Sequence, residues 1–232
     1  GGGSWDIKNT KMPSSWQVKY HDLTFNLKLM GFKHTGLFPE QAYNWNMIIH
    51  KIKEAKRDVK VLNLFAYTGA ASMAALSAGA SVVHVDSSRG MVDWAKENAA
   101  SCGLSDKPIR YIVDDCKKFV DREIRRGNKY DIILMDPPSF GRGSNGQVWD
   151  IEKDLYPLVE ACSKILSDDP ILFLINSYTT GLSMNVLEDV LKLCIKNKGY
   201  ITSDELGLPV KNSNLVLPCG IFARWEKEKY EE

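Results

Sequence analysis

Short apolar runs alternate with longer amphipathic stretches along the chain from residue 59 onward. The runs are almost continuously apolar, as expected of parallel strands that helices cover on both faces. The longer stretches repeat their apolar positions about every 3.6 residues, which predicts helices. This alternation is typical of βαβ units and predicts an α/β fold with a mostly parallel sheet. The predicted strands are residues 59–65, 81–86, 109–113, 130–135 and 171–177, and the predicted helices are residues 70–78, 88–102, 116–127, 148–166 and 182–196.

The C-terminal part of the chain departs from this rhythm. Residues 200–206 and 215–225 predict two strands, and only the turn-rich segment 207–214 lies between them. Strands joined without a helix pair in antiparallel fashion. We therefore expect an antiparallel hairpin to complete a seven-stranded sheet.

The N-terminal part also differs. Apolar residues alternate from Val18 to Leu29 around His21-Asp22, which predicts a small β-hairpin extension. A helix should begin near Pro39, because proline fits the first turn of a helix. We therefore predict an N-terminal extension over residues 1–58 and a main domain over residues 59–232.

Composition narrows the class of protein. The chain has 30 Lys and Arg against 29 Asp and Glu, so its net charge of +1 provides no overall attraction for nucleic acid. Its five cysteines form no Cys-x-x-Cys pair and its four histidines lack metal-ligand spacing, so we expect neither a disulfide framework nor a metal site. Because the chain shows no apolar run of membrane-spanning length and no leader pattern, a cytoplasmic location without a membrane is expected.

Four consecutive predicted strands end in small or acidic residues. The first ends in Phe65-Ala66-Tyr67-Thr68-Gly69, the second at Asp86, the third at Asp114-Asp115-Cys116 and the fourth at Asp136-Pro137-Pro138. Taken singly, an acidic residue there is often a helix N-cap, and Pro-Pro is often a rigid turn. Ligands of open parallel sheets bind at the carboxyl ends of the strands, however. In this order the four elements predict a pocket for a nucleoside.

The first loop indicates which nucleoside. Dinucleotide-binding loops carry Gly-x-Gly-x-x-Gly so that backbone N–H groups can hold a pyrophosphate, whereas this loop has only Gly69. S-adenosylmethionine has no phosphate, and its sulfonium and amino acid groups need carboxylate and carbonyl acceptors. Asp86, 17 residues after Gly69, can accept hydrogen bonds from both ribose hydroxyls. The loop therefore favours S-adenosylmethionine over a nicotinamide cofactor.

These motifs resemble those of the large-subunit ribosomal RNA methyltransferases of the RlmI and RlmK type. The resemblance covers about residues 18–225 and includes His34 to Gln41, which is similar to the family's Thr-Gly-x-Phe-x-x-x-(Gln or His) element. It implies a Rossmann-like class I methyltransferase fold that uses S-adenosylmethionine without a metal. It also implies an RNA substrate, with a ribosomal RNA base as the methyl acceptor.

The resemblance implies roles for the matching positions. Asp86 would bind the ribose hydroxyls, Phe38 and Gln41 would close over the cofactor, and the third strand end would meet the adenine. The catalytic positions would be Asp136, Pro137 and Pro138, at the transferring methyl group. The positions expected to bind the cofactor are Phe38, Gln41, Asn63, Phe65, Ala66, Tyr67, Thr68, Gly69, Asp86, Ser87, Ser88, Asp114, Asp115 and Cys116.

Departures from the family leave the methyl acceptor open. No RNA-binding PUA domain is recognisable, although the family commonly carries one at its N-terminus. The cytosine-C5 branch needs a cysteine in the segment that is here 176–180, which has none, so that mechanism would need Cys116 or Cys219. Phe140 is one residue beyond the aromatic position of the Asp-Pro-Pro-(Tyr or Phe) motif of amine methyltransferases. The glycine-rich segment 141–146, which follows directly, is expected to contact nucleic acid.

Three alternatives to RNA methylation follow from these departures. The net charge is close to zero, and no RNA-binding domain is recognised in the sequence. Both observations are compatible with a methyltransferase that acts on a small molecule or a protein. A nicotinamide-dependent oxidoreductase shares this kind of sheet, although the single glycine of the loop disfavours it. The third alternative is a binding module that keeps the cofactor pocket without catalysis.

Overall fold

A seven-stranded sheet with helices on both faces forms the centre of the computed structural model. The structure describes residues 4–31, 34–142 and 146–231. The strands are β1 (Ser15–Tyr20), β2 (Leu23–Lys28), β3 (Lys60–Leu64), β4 (Ser81–Asp86), β5 (Ile109–Val113), β6 (Ile132–Met135), β7 (Phe140–Arg142), β8 (Val148–Asp150), β9 (Leu172–Ser177), β10 (Tyr200–Pro209) and β11 (Val216–Glu226). The α-helices are α1 (Ala42–Ala55), α2 (Ala70–Ser77), α3 (Arg89–Ser101), α4 (Cys116–Arg126), α5 (Ile151–Ser163) and α6 (Met184–Cys194), and a 3-10 helix spans Pro39–Gln41.

The order of strands in the sheet is β10-β11-β9-β6-β3-β4-β5. The five strands from β9 to β5 are parallel, and β11 pairs antiparallel with both β9 and β10. The mostly parallel sheet with an antiparallel C-terminal hairpin is therefore confirmed. The chain builds outward from β3 in one direction and from β6 in the other, so the topological switch point lies between these two strands.

Alternating side chains of the central strands enter two separate apolar cores. In β6, Ile133 and Met135 pack with residues of α4, α5 and α6, whereas Ile132 and Leu134 pack with residues of α1 and α2. All four side chains are buried because helices cover both faces of the sheet. This explains why the strand sequences read as continuous apolar runs.

The predicted N-terminal hairpin is confirmed, since β1 and β2 pair antiparallel through the turn at His21 and Asp22. Phe25 of β2 is fully buried, with its ring 5.5 Å from that of Trp45 on α1. On the other side, the indole N–H of Trp94 on α3 donates to the carbonyl oxygen of Asn26 at 2.9 Å. The hairpin therefore packs on α1 and α3. The domain boundary at residue 58 stays a prediction.

The helix predicted over residues 148–166 begins later than expected. Val148–Asp150 is strand β8, which pairs antiparallel with β7, and the helix starts at Ile151. Asp150 is the N-cap, because its carboxylate accepts a hydrogen bond from the backbone N–H of Glu152. The glycine-rich segment 141–146 begins within β7, and its residues 143–145 lie outside the described residues.

The described residues also bear on membranes, metals and disulfides. Across residues 4–31, 34–142 and 146–231, no helix combines the length and the apolar character needed to cross a membrane. The same residues bring together no group of three or more His, Cys, Asp or Glu side chains that could hold a metal ion. All five cysteines are free.

Candidate active site

The loop after β3 has a strained backbone. Phe65 and Tyr67 adopt left-handed φ values of 52° and 51°, and Gly69 has a φ of 85°. A left-handed conformation costs a non-glycine residue on the order of 1 kcal/mol, so surrounding contacts must hold the loop. A side chain at position 69 would also meet the Cβ atom of Ala95 at 3.0 Å. Strain of this kind is concentrated at functional sites, and this loop lies at the switch point of the sheet.

Asp86, the last residue of β4, supports this loop. One of its carboxylate oxygens accepts a hydrogen bond from the backbone N–H of Tyr67 at 2.9 Å, and the other accepts one from the N–H of Ser88 at 2.8 Å. Burial raises the pKa of Asp86, whereas these two hydrogen bonds lower it. A carboxylate offers about four acceptor positions, so about two remain for a ligand. That number matches the two hydroxyls of a ribose.

A cavity that opens to solvent lies beside the loop, and its volume of about 540 Å³ includes part of that open space. Nine of the predicted site residues line it: Phe38, Gln41, Asn63, Phe65, Ala66, Tyr67, Thr68, Gly69 and Asp136. The sequence did not assign the other ten lining residues to the site: Leu37, Asn44, Trp45, Ile48, Ala70, Ala71, Leu134, Met135, Leu174 and Asn176.

The segment before α1 lies against the loop after β3. The ring of Phe38 is 5.5 Å from that of Tyr67 and 5.3 Å from that of Tyr178. The hydroxyl of Thr68 donates to the carbonyl oxygen of Gly36 at 2.6 Å, which joins the two segments directly. Gly36 has a φ of 101°, and a Cβ atom there would lie 2.4 Å from the ring of Trp94. Only glycine fits this position without displacement of the neighbouring ring.

Buried polar side chains form a connected chain on the α1 side of the cavity. The Gln41 amide nitrogen donates to the hydroxyl oxygen of Tyr178 at 2.8 Å. The Asn44 amide nitrogen donates to Gln41 Oε1 at 2.8 Å and to Asn176 Oδ1 at 3.0 Å. We call Gln41, Asn44, Asn176 and Tyr178 the amide chain. Asn44 Oδ1 is buried and accepts no hydrogen bond from any described residue, which costs about 1 to 3 kcal/mol while it stays unsatisfied.

Asp136 lines the cavity at the end of β6. Burial and, to a smaller extent, the negative charge of Glu40 together raise the pKa of Asp136 to about 7. The residues that follow are held in place: the carbonyl oxygen of Pro138 accepts a hydrogen bond from the Trp149 indole at 2.6 Å. The hydroxyl of Ser139 is 2.7 Å from that of Thr179. A carboxyl group with this pKa can accept or donate a hydrogen bond near neutral pH.

The other predicted positions lie outside the cavity wall. Asp115 is the N-cap of α4, because its carboxylate accepts from the backbone N–H of Lys118 at 2.9 Å. Asp114 forms an ion pair with Arg122. Cys116 is buried, and its Sγ atom accepts from the backbone N–H of Phe65 at 3.4 Å. Ser87 and Ser88 are exposed and follow Asp86. In this structure these groups support neighbouring backbone or face solvent.

A second buried network lies behind the loop. Asn63 donates through Nδ2 to the hydroxyl of Ser72 at 3.0 Å, and that hydroxyl is 3.1 Å from His84 Nδ1. The Ser72 hydroxyl therefore bridges the Asn63 amide and the imidazole ring of His84. Burial lowers the pKa of His84 to about 4, which keeps the ring neutral. This network orients Asn63 in the cavity wall.

A model of the S-adenosylmethionine-dependent methyltransferase family matches residues 6–190. This span contains the loop after β3, Asp86 and Asp136, which the structure brings to one edge of the sheet. The chain belongs to this family. Its cofactor is S-adenosylmethionine, and the nicotinamide-dependent alternative is set aside.

Solved methyltransferase structures share the fold. The S-adenosylmethionine-dependent methyltransferase from Agrobacterium tumefaciens matches with a TM-score of 0.94 at 37% identity, over 98% of this chain and 75% of that chain. A methyltransferase structure complexed with SAH matches with a TM-score of 0.76 at 24% identity, over 94% of this chain and 58% of that chain. The predicted Rossmann-like methyltransferase fold is therefore confirmed.

Relatives in sequence include ribosomal RNA large subunit methyltransferases K/L. The protein from Pseudoalteromonas atlantica is 39% identical over 144 residues, which are 61% of this chain and 19% of that protein. The protein from Shewanella woodyi is 35% identical over 176 residues, which are 75% of this chain and 24% of that protein. The chain therefore spans about a quarter or less of the length of these relatives.

Several residues of this methyltransferase site escaped the sequence analysis. Asn44 and Asn176 line the cavity, Tyr178 belongs to the amide chain, and the charge of Glu40 contributes to the raised pKa of Asp136. One signal was present for Asn44: it shares a helix face with Trp45 and Ile48, which are buried. An amide among apolar neighbours on the core-facing side of a helix needs a partner. Asn176 and Tyr178 carried no comparable signal.

Proposed function

We propose that this chain transfers the methyl group of S-adenosylmethionine to RNA, with a base of ribosomal RNA as the acceptor. Its membership of the methyltransferase family and its similarity to proteins named ribosomal RNA large subunit methyltransferase K/L support this function. The main structural support for the cofactor site is the environment of Asp86. Its carboxylate holds the loop after β3 and keeps about two acceptor positions open.

Specific residues take roles in this proposal. Asp86 binds the ribose hydroxyls, and Phe65, Tyr67, Thr68 and Gly69 contact the ribose and the methionine part. Phe38 and Gln41 cover the cofactor, which supplies an electrophilic methyl group when bound. The rigid Pro137-Pro138 segment limits the movement of Asp136. The remaining predicted positions stay candidates: Asn63, Ala66, Ser87, Ser88, Asp114, Asp115 and Cys116.

Asp136 holds the acceptor base in this proposal. Its carboxyl group, with a pKa of about 7, accepts a hydrogen bond from an N–H of the base when ionised and donates one when protonated. Direct methyl transfer is an in-line displacement, so the main contribution of these residues is alignment of the acceptor with the methyl group. An acceptor nitrogen with a free lone pair needs no covalent intermediate with the protein.

The two cysteines named for a covalent C5 mechanism are poor nucleophiles in this structure. Burial strongly raises the pKa of Cys116. The pKa of Cys219 is raised by burial and by the charge of Glu40. The thiolate is the reactive form, so both groups stay protonated near neutral pH. These states favour methyl transfer to a nitrogen over a C5 mechanism. The free cysteines also support our proposal of a reducing, cytoplasmic location.

The test is the distribution of label from methyl-labelled S-adenosylmethionine. The protein is incubated with RNA, protein and metabolite fractions from a strain that lacks its gene. We expect label in large-subunit ribosomal RNA, loss of label with Asp86→Ala, and unchanged labelling with Asp93→Ala, which alters an exposed acidic residue on α3. Label confined to protein or metabolites would replace RNA by another acceptor. Binding of S-adenosylmethionine without label in any fraction would favour the non-catalytic alternative.

A further inference from the structure

The amide chain has a defined polarity. Burial raises the pKa of Tyr178 well above its usual value, and the carboxyl groups of Asp136 and Glu40 raise it further, Glu40 also as the acceptor of a hydrogen bond from the Tyr178 hydroxyl. An ionised carboxylate only accepts hydrogen bonds, so the Tyr178 hydroxyl donates to Glu40 and its oxygen is free to accept from Gln41 Nε2. The orientation of the Gln41 amide follows, with its Oε1 atom directed to Asn44.

The orientation of the Gln41 amide determines the orientation of the Asn44 amide. Its Nδ2 atom donates both of its protons, one to Gln41 Oε1 and one to Asn176 Oδ1. Rotation of this amide by half a turn would place its oxygen against two other oxygens, which excludes the alternative orientation. Asn44 Oδ1 is therefore left without a partner among the described residues, although the side chain is only 1% exposed. Asn44 also lines the cavity. An unsatisfied acceptor at a cavity wall calls for a hydrogen-bond donor of a ligand.

The charge of the cavity wall indicates the kind of donor. The described lining residues contain no Lys, Arg or His, and Asp136 contributes a carboxyl group. Trp45, Ile48, Leu134 and Leu174 supply an apolar surround, in which few polar partners compete. Such a wall favours a cationic donor over an anionic or neutral group, because charged hydrogen bonds are stronger in surroundings with little water. Of the groups of S-adenosylmethionine, the α-ammonium is a cation that also carries N–H donors.

We propose that Asn44 binds the α-ammonium group of S-adenosylmethionine, with its Oδ1 atom as the hydrogen-bond acceptor. This assignment rests on the cofactor use of the proposed function and adds a residue to it. Gln41, Asn176 and Tyr178 are positioning residues, because they orient the Asn44 amide. The ribose end of the cofactor stays with Asp86, so the two ends depend on different residues.

Calorimetric titration with three ligands tests this assignment. S-adenosylhomocysteine carries the α-ammonium group, its des-amino analogue has hydrogen in that place, and methylthioadenosine lacks the whole amino acid part. We expect the parent protein to bind S-adenosylhomocysteine at least about tenfold more tightly than the des-amino analogue, as one charged hydrogen bond predicts. In Asn44→Leu, which has a similar shape, this ratio should fall to near one while methylthioadenosine affinity is kept.

Two further variants control for structural effects. Asn46→Leu removes an exposed amide from the same helix and should leave the ratio unchanged. Asn44→Ala also removes the Oδ1 acceptor but leaves room for water beside Gln41 and Asn176, so its ratio should likewise fall to near one. If Asn44→Leu binds no ligand, Asn44→Ala decides: binding of methylthioadenosine with a ratio near one supports the assignment, and a retained ratio overturns it.

Other outcomes separate the two proposals. An unchanged ratio in Asn44→Leu, with intact methylthioadenosine binding, means that a water molecule or another ligand group satisfies Asn44 and overturns the assignment alone. The proposed function then stands. If the parent protein binds none of the three ligands, the cofactor site itself is misplaced, and the assignment falls with the proposed function.

Discussion

Asp136 should make the protein without cofactor less stable as pH rises, and Asp136→Asn should remove this dependence. The pKa of Asp136 is raised from 3.8 to about 7, first by burial and then by the charge of Glu40. Between pH 3.8 and about pH 7 the Asp136 carboxyl group keeps its proton in the folded state and releases it in the unfolded state. The contribution of this group to the free energy of unfolding is therefore fully present below about pH 4 and is lost as pH rises through about 7.

The size of the effect follows from the shift. A change of about three pKa units corresponds to about 4 kcal/mol, at about 1.4 kcal/mol for each unit. Because the residue is partly exposed, solvent screening reduces this value, and we expect about 2 to 4 kcal/mol. His84 makes the free energy of unfolding change with pH in the opposite direction, because its pKa of about 4 lies below its usual value. The quantity to compare is therefore the difference between the parent protein and Asp136→Asn.

Urea denaturation at a series of pH values from about 4 to about 8 measures this difference. The free energy of unfolding of the parent protein, relative to that of Asp136→Asn, should decrease across this range and level off above about pH 7. Glu40→Gln is the matched control, because it removes the like charge and should move the midpoint to lower pH. Parallel curves for the parent protein and Asp136→Asn would show that Asp136 ionises freely, and the reasoning from burial would be refuted.

Three further predictions test the loop, the third strand end and the cover. Asp86→Ala should weaken S-adenosylmethionine binding at least about tenfold in calorimetry, since it removes both the loop contacts and the ribose acceptor; unchanged affinity would mean that the ribose lies elsewhere. Asp115→Ala should lower the free energy of unfolding by about 1 kcal/mol in urea denaturation, as expected for loss of an N-cap, and no loss would contradict the capping role. Gly36→Ala should lower the melting temperature by about 4 to 8 °C, because strain and the contact with Trp94 cost about 2 kcal/mol; an unchanged melting temperature would mean that the Trp94 ring moves aside freely.

The local pattern of the chain was sufficient for most of the elements. Strands such as β6 and β9 are buried on both faces, so their apolar runs stand out without any knowledge of their neighbours. The start of α5 was misplaced because Val148–Asp150 also fits the apolar spacing of the helix. Its pairing with β7 is a contact between segments, and helical periodicity does not report it.

The sequence by itself determined the α/β class, the loop with its single glycine and the acidic residue after β4. These features depend on backbone preferences and on residues that are close in the chain, so they can be read locally. Tertiary structure decided that β11 lies between β9 and β10, that Asp115 caps a helix, and that Asn44 of α1 meets Asn176 of β9. The pKa of Asp136 also depends on the fold, because burial and the approach of Glu40 arise only when distant segments pack together.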